Sequence, residues 1–176
     1  MKILVLVESK HGSTDEIAQA ITHELSQAGH QVELYDAQEA PPPAGYDAVV
    51  AGSAIYVGRW MGEARTYVHQ HADALRERPV WLFSSGPLGK EPQPVGEPEE
   101  IPELVAASGA RGHRNFVGKL DKDELGLAER LVVRAVKAPY GDFRNWEGIR
   151  SWAHEIAAAL EAEEAVAEMP IADRRA

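Results

Sequence analysis

The sequence has 176 residues, 44% of them apolar and 26% charged, with a formal net charge of −10 and no cysteine. These figures fit one globular domain with a sizeable core, rule out disulfides, thiolate catalysis and zinc–sulfur sites, and argue against nucleic-acid binding, which needs a basic footprint. No apolar run approaches the roughly 18 residues of a spanning helix, and the N-terminus lacks the pattern of a signal peptide, so the expected setting is cytoplasmic.

Ile3-Leu4-Val5-Leu6-Val7 is a continuous apolar run of strand length, as a fully buried strand requires. Behind it comes Ser9-Lys10-His11-Gly12-Ser13-Thr14, a turn rich in hydroxyls, and then a helical stripe of Ile17, Ala20, Ile21, Leu25 and Ala28 that Gly29 stops. A strand, a polar turn and a helix N-terminus form a phosphate cradle, because the first-turn N–H groups point outward and the dipole favours an anion. Neither the Walker A spacing nor the dinucleotide fingerprint is present. The same residues also fit an ordinary βα turn with a capping box from Ser13 to Glu16.

Gln31 to Tyr35 alternates like a strand near a sheet edge, and Pro41-Pro42-Pro43 makes a rigid loop. Asp47 to Ala51 is a second buried strand, leading into the small-residue loop Gly52 to Trp60. One helix with Met61, Ala64, Val68, Ala72 and Leu75 on one face follows, stopped by Pro79. Val80-Trp81-Leu82-Phe83 is a third buried strand, Trp81 lying in the core, and Ser84-Ser85-Gly86-Pro87-Leu88-Gly89-Lys90 is a third glycine-bearing loop. An acidic proline-rich stretch from Glu91 to Pro98, a short helix around Ile101 to Ser108 and a weak strand at 112–117 complete the alternation.

Strands alternating with helices imply a parallel sheet covered on both faces. In such a sheet the loops after the strands meet at one crevice. The first loop would take a phosphate. The second, with Ile55, Tyr56 and Trp60, could cover a flat ring, and the third offers bare backbone groups to a ring edge.

Ser9, Gly12 and Thr14 match the flavodoxin phosphate loop, [ST]-x-[ST]-G-x-T, with His11 in place of a hydroxyl. Further on, Gly118-Lys119-Leu120-Asp121, the amphipathic stretch Leu127 to Val136 and Gly141-Asp142-Phe143-Arg144-Asn145-Trp146 resemble flavodoxin-domain proteins of the menaquinone-dependent protoporphyrinogen IX dehydrogenase type. The resemblance covers residues 2 to 160, although the amphipathic stretch is shorter here than in that family. It implies a doubly wound, five-stranded parallel sheet of order 2-1-3-4-5. It also implies FMN as cofactor, held by Ser9, Lys10, His11, Gly12, Ser13, Thr14, Ala54, Ile55, Tyr56, Val57, Ser84, Ser85, Gly86, Pro87, Leu88 and Gly89.

The expected layout is a single domain over residues 1–160, with 121–140 as an inserted amphipathic segment and 161–176 as an acidic frayed tail. In the inserted segment Leu125, Ala128, Leu131, Val132, Ala135 and Val136 share one face, and Arg130, Arg134 and Lys137 line another. That basic face could dock an acidic substrate or touch a quinone-bearing membrane, or it could be plain helix surface. Asn145 is the expected cap of the last helix, while the pairs Glu99-Glu100 and Glu163-Glu164 read as solvated faces. No metal site and no catalytic acid or base stands out.

Three functional readings follow. One is an FMN oxidoreductase acting on a tetrapyrrole and passing electrons to a quinone. The second is an electron carrier that docks through its acidic surface onto a redox partner protein. The third is a non-redox protein that uses the crevice for another phosphorylated ligand.

Overall fold

The computed structural model describes residues 1–56, 58–86, 98–123, 125–136 and 139–168. The elements in chain order are β1 (Lys2–Glu8), α1 (Ser13–Gln27), β2 (Gln31–Asp36), β3 (Ala48–Tyr56), β4 (Arg59–Trp60), α2 (Gly62–Gln70), α3 (Ala72–Arg76) and β5 (Val80–Ser85). They continue with α4 (Ile101–Ser108), β6 (Gly112–Phe116), β7 (Lys119–Leu120), α5 (Leu127–Val136), β8 (Gly141–Asp142) and α6 (Trp146–Glu168). The sheet runs β2-β1-β3-β5-β6, all parallel, with the two-residue β4 folded back antiparallel on the end of β3. Without β4 in the count, this is the 2-1-3-4-5 order expected of the family.

Side chains along each central strand alternate between two cores. Ile3, Val5, Val7, Val50 and Phe83 pack under α1 and α6. Leu4, Leu6, Val49, Ala51 and Leu82 pack under α2, α3 and α4. Burial on both faces is why these strands read as unbroken apolar runs, whereas the edge strand β2 alternates.

The α6 side holds an aromatic triad. The ring centroids of Phe83, Phe116 and Trp152 lie 5.6 to 6.2 Å apart, at the tilted and edge-on angles that aromatic quadrupoles favour. The Phe83 ring lies directly on Gly52, its register partner in β3, where a Cβ would fall 2.0 Å from the ring.

Several details differ from the sequence reading. The helix expected over Met61 to Leu75 is two helices, because His71, at φ −107° and ψ 16°, leaves the helical region between them. Ala64, Val68 and Leu75 are nonetheless buried on one side, as their spacing requires. The apolar face expected along 121–140 is not buried as a unit. Leu125 is buried, but Leu131 is 68% exposed and Ala135 is exposed. Lys137 lies outside the described residues.

Asn145 caps α6, its Oδ1 accepting from Gly148 N at 3.0 Å. The helix runs on to Glu168, past the point where fraying was expected. Glu163 and Glu164 are not merely solvated, since Glu163 pairs with Arg111 and Glu164 with the Met1 ammonium at 3.2 Å. Residues 169–176 lie outside the described residues.

Gly52→Ala should cost about 1–3 kcal/mol of stability, the usual range for overpacking a filled core. Denaturant unfolding checks this; an unchanged midpoint would show that Phe83 can move aside.

Candidate functional site

The site is assembled where β1, β3 and β5 end. Their register aligns Glu8 with Ser53, Ser53 with Ser84, and Ser84 with Asn115 of β6, so a polar row crosses the sheet just above the apolar core. These groups hold neighbouring elements in place. Glu8 Oε2 accepts from Ala64 N at 2.8 Å and Ser53 Oγ from Met61 N at 2.9 Å, which fixes the start of α2. Ser84 Oγ accepts from Trp60 Nε1 at 2.7 Å and shares a 2.7 Å hydrogen bond with His113 Nε2. The Trp60 backbone N–H bonds Glu100, which also pairs with Arg65 at 3.5 Å, so Glu100 is a tertiary contact and not the solvated face its polar run suggests.

Above the row, the 9–14 turn leads from β1 into α1. Gly12 is the N-cap residue at φ +75°, a left-handed conformation that disfavours any side chain, and a Cβ there would meet nothing within 4 Å. Among the described residues no side chain caps the helix, so the capping box between Ser13 and Glu16 does not form. Ser13 Oγ instead accepts from the backbone N–H of Lys119 at 3.0 Å. Thr14 is buried, Ser9, His11, Gly12 and Ser13 are half-buried, and Lys10 is exposed. A helix start with no side-chain cap among the described residues suits an anion.

Lys10 joins this turn to the second loop. Its Nζ donates to Tyr56 OH at 2.8 Å and lies 4.1 Å from the Tyr56 ring centroid. Tyr56 is 38% exposed, with Ile55 buried and Ala54 half-buried before it. Trp60 is 2% exposed and belongs to the core under the second loop. It does not offer a face to a ligand, because its ring is buried in that core, with the indole N–H on Ser84. Trp81 is core as expected.

In the third loop Ser84 and Ser85 are buried and Gly86 is half-buried, its N–H donating to Phe116 O at 3.0 Å. Val57, Pro87, Leu88 and Gly89 lie outside the described residues.

A fourth segment completes the site. Gly118 wedges between the first and third loops, where a Cβ would fall 3.2 Å from Ser85 Oγ and 3.7 Å from Ser13 Oγ. Lys119 and Leu120 pair antiparallel with Asp142 and Gly141, and Arg144 follows. Arg144 donates from Nε to Asp142 Oδ1 at 2.8 Å and from Nη2 to Oδ2 at 2.6 Å. Its Nη1 reaches Glu16 Oε2 at 2.9 Å and Ser13 O at 3.3 Å. The Arg144 hydrogen bonds hold the Asp142 carboxyl below the usual Asp range, against the effect of burial. Gly118 and Arg144 were visible in the sequence only as parts of the C-terminal resemblance, and nothing in their spacing marks them as neighbours of Ser13.

With four segments converging at one sheet end, comparison with known proteins settles the family. The flavodoxin domain family model matches residues 4–145. The chain belongs to the flavodoxin domain family. Flavodoxin domains are FMN-type domains, so the expected cofactor class stands with the family.

Among relatives, this flavodoxin-domain chain is 30% identical over 95 residues to the protoporphyrinogen IX dehydrogenase [quinone] of Escherichia coli strain K12. That match takes in 53% of this chain and 52% of the relative, so it spans about half the length of the E. coli protein. Solved flavodoxins share the fold. The flavodoxin of Streptococcus pneumoniae TIGR4 superposes with a TM-score of 0.60 at 14% identity, over 90% of this chain and 99% of that one. The oxidised flavodoxin 2 of Bacillus cereus gives 0.59 at 21% identity, over 92% and 99%. Among the described residues no helix is long and apolar enough to cross a membrane.

The first turn of α1 also carries two acids. The Asp15 carboxyl is raised above its ordinary value of 3.8 by burial, with Asp36 and Glu16 adding to the effect. A raised carboxyl disfavours its own charged form in the native state. The native protein therefore carries a cost above this titration window, and the cost fades as the pH falls through it. Asp15→Asn should raise the melting temperature at neutral pH, and the gain should vanish below the ordinary Asp range. Thermal melts across pH 3–8 check this; a gain that persisted in acid would assign the effect to something other than charge.

Proposed function

We propose that this flavodoxin-domain chain binds FMN between the 9–14 turn, the ends of β3 and β5, and the Gly118 segment, and that it is a redox protein. One arrangement carries the reading. Among the described residues the Gly12 helix start has no side-chain cap and nothing stands within 4 Å of where a Gly12 Cβ would lie, and Lys10–Tyr56 and Gly118 tie it to the other two loops. Gly12, Ser13 and Thr14 would hold the phosphate through backbone N–H and hydroxyl groups. Ile55 and Tyr56 would cover the ring, with Ser85 and Gly86 at its polar edge. Bound FMN supplies the electron-transfer chemistry. The chain's residues would orient the cofactor, and Tyr56 and Ile55 would cover one side of its ring and limit water there. The single domain over residues 1–160, with 121–140 as its inserted segment, is part of this proposal.

The finer reading is an oxidoreductase that dehydrogenates a tetrapyrrole and passes the electrons to a quinone. The named activity of the E. coli relative supports it, together with the α5 surface. Leu131 and Arg134 both lie exposed on α5, an apolar and a cationic group together, suited to an amphipathic acidic substrate or a membrane surface. The net charge of −10 supports a second reading, a carrier that docks onto a basic redox partner.

Incubation with FMN followed by desalting should leave flavin absorbance with the protein and quench its fluorescence. Loss of all flavin at micromolar protein would overturn the FMN reading. Gly12→Val places a branched side chain at positive φ, a strain of roughly 1–2 kcal/mol, and should weaken FMN binding about tenfold.

The two redox readings separate on α5. Leu131→Ser with Arg134→Glu should cut quinone-linked porphyrinogen turnover at least fivefold and leave bound FMN unchanged. Undiminished turnover would remove α5 from substrate docking. No porphyrinogen turnover by the flavin-loaded parent would favour the carrier.

A further inference from the structure

Arg144 is remote in sequence from the phosphate turn but is built into it. Its guanidinium is 3% exposed, held on Asp142 by two hydrogen bonds and stacked 4.4 Å from the Trp146 ring centroid. One nitrogen remains for the first turn of α1, and it meets both Glu16 Oε2 at 2.9 Å and the Ser13 carbonyl at 3.3 Å. Further back along the same hairpin, Lys119 N–H binds the Ser13 hydroxyl. Ser13 is thus gripped from one direction at both its hydroxyl and its carbonyl.

The charge pattern explains why a buried cation is needed there. Glu16 brings a carboxylate to the helix end where an anion would dock, and like charges at close range oppose each other. Asp142 alone could anchor a neutral donor. A planar guanidinium can anchor the turn and pair with Glu16 while keeping its fork on Asp142, so the three groups together carry one net negative charge where the two carboxylates alone would carry two.

We infer that Arg144 is a positioning residue for the cofactor phosphate, holding Ser13 in place and pairing with the Glu16 carboxylate from the 141–146 segment. The inference rests on the FMN reading and deepens it. Arg144 touches no cofactor itself; it acts through Ser13 and Glu16.

The test compares dissociation constants for FMN and for riboflavin, which lacks the phosphate, in the full chain. Arg144→Ala should weaken FMN at least tenfold and riboflavin less than twofold. Arg144→Lys should recover part of the FMN loss. Glu16→Gln in the Arg144→Ala background should recover much of it by removing the exposed charge.

If Arg144→Ala does not fold, Arg144→Gln removes the charge at similar length and should show the same selective loss. Equal weakening of both flavins would reduce Arg144 to a structural role and overturn the inference, as would FMN binding that Glu16→Gln cannot restore. Failure of the parent protein to bind FMN at all would instead overturn the functional reading on which the inference rests.

Discussion

A parallel strand cannot turn straight back into its neighbour. The chain must cross a face of the sheet and re-enter from the far end, and the crossover is right-handed. Every strand of this sheet therefore releases its chain at the same edge, and three loops far apart in sequence have to meet there. The polar row of Glu8, Ser53, Ser84 and Asn115 marks that edge. Below it the strands are apolar on both faces. At it, the side chains fasten the start of α2, the Trp60 indole and His113. The row is a foundation. It fixes the start of α2 and the Trp60 indole at the end of the sheet where the loops begin.

The local field at this edge differs from that of the molecule. The chain carries a net charge of −10, and two acids stand in the first turn of α1. An anion site in that setting depends on short-range terms, which outweigh net charge at contact distance. On the proposed reading these would be the helix N–H groups, the Lys10 ammonium above Tyr56 and the Arg144 guanidinium against Glu16. Net charge acts over longer distances, on approaching partners.

Much of this was legible in the sequence because each signal was local. Strands buried on both faces must be apolar throughout, and three such runs, each followed by a polar or glycine-bearing turn, specify the sheet and its loops. Asn145 and Gly29 mark helix ends by their own conformational preferences. Other features depend on partners that spacing does not reveal. Ser13 to Glu16 has the pattern of a capping box, but Lys119 N–H claims the Ser13 hydroxyl and Arg144 claims Glu16. Trp60 looks like a ligand-facing aromatic until Ser84 is seen to take its N–H. Glu163 and Glu164 look solvated until Arg111 and the Met1 ammonium arrive from elsewhere in the chain. In each case a tertiary contact overrode a sound local preference.

The small β7–β8 pair has a consequence for how such a protein can change over evolution. Leu120 and Gly141 are register partners, so the chain leaves the body of the fold and returns to it at one point. Whatever lies between them is a closed excursion with a single narrow neck. Closing a longer loop costs only about 0.6 kcal/mol for each doubling of its length. The 121–140 stretch can therefore lengthen, shorten or be exchanged with little effect on the sheet, while Lys119 and Arg144 on either side of the neck keep their hold on Ser13. The β7–β8 neck thus separates the segments that grip Ser13 from the stretch between them, so a change of length there need not reach the 9–14 turn.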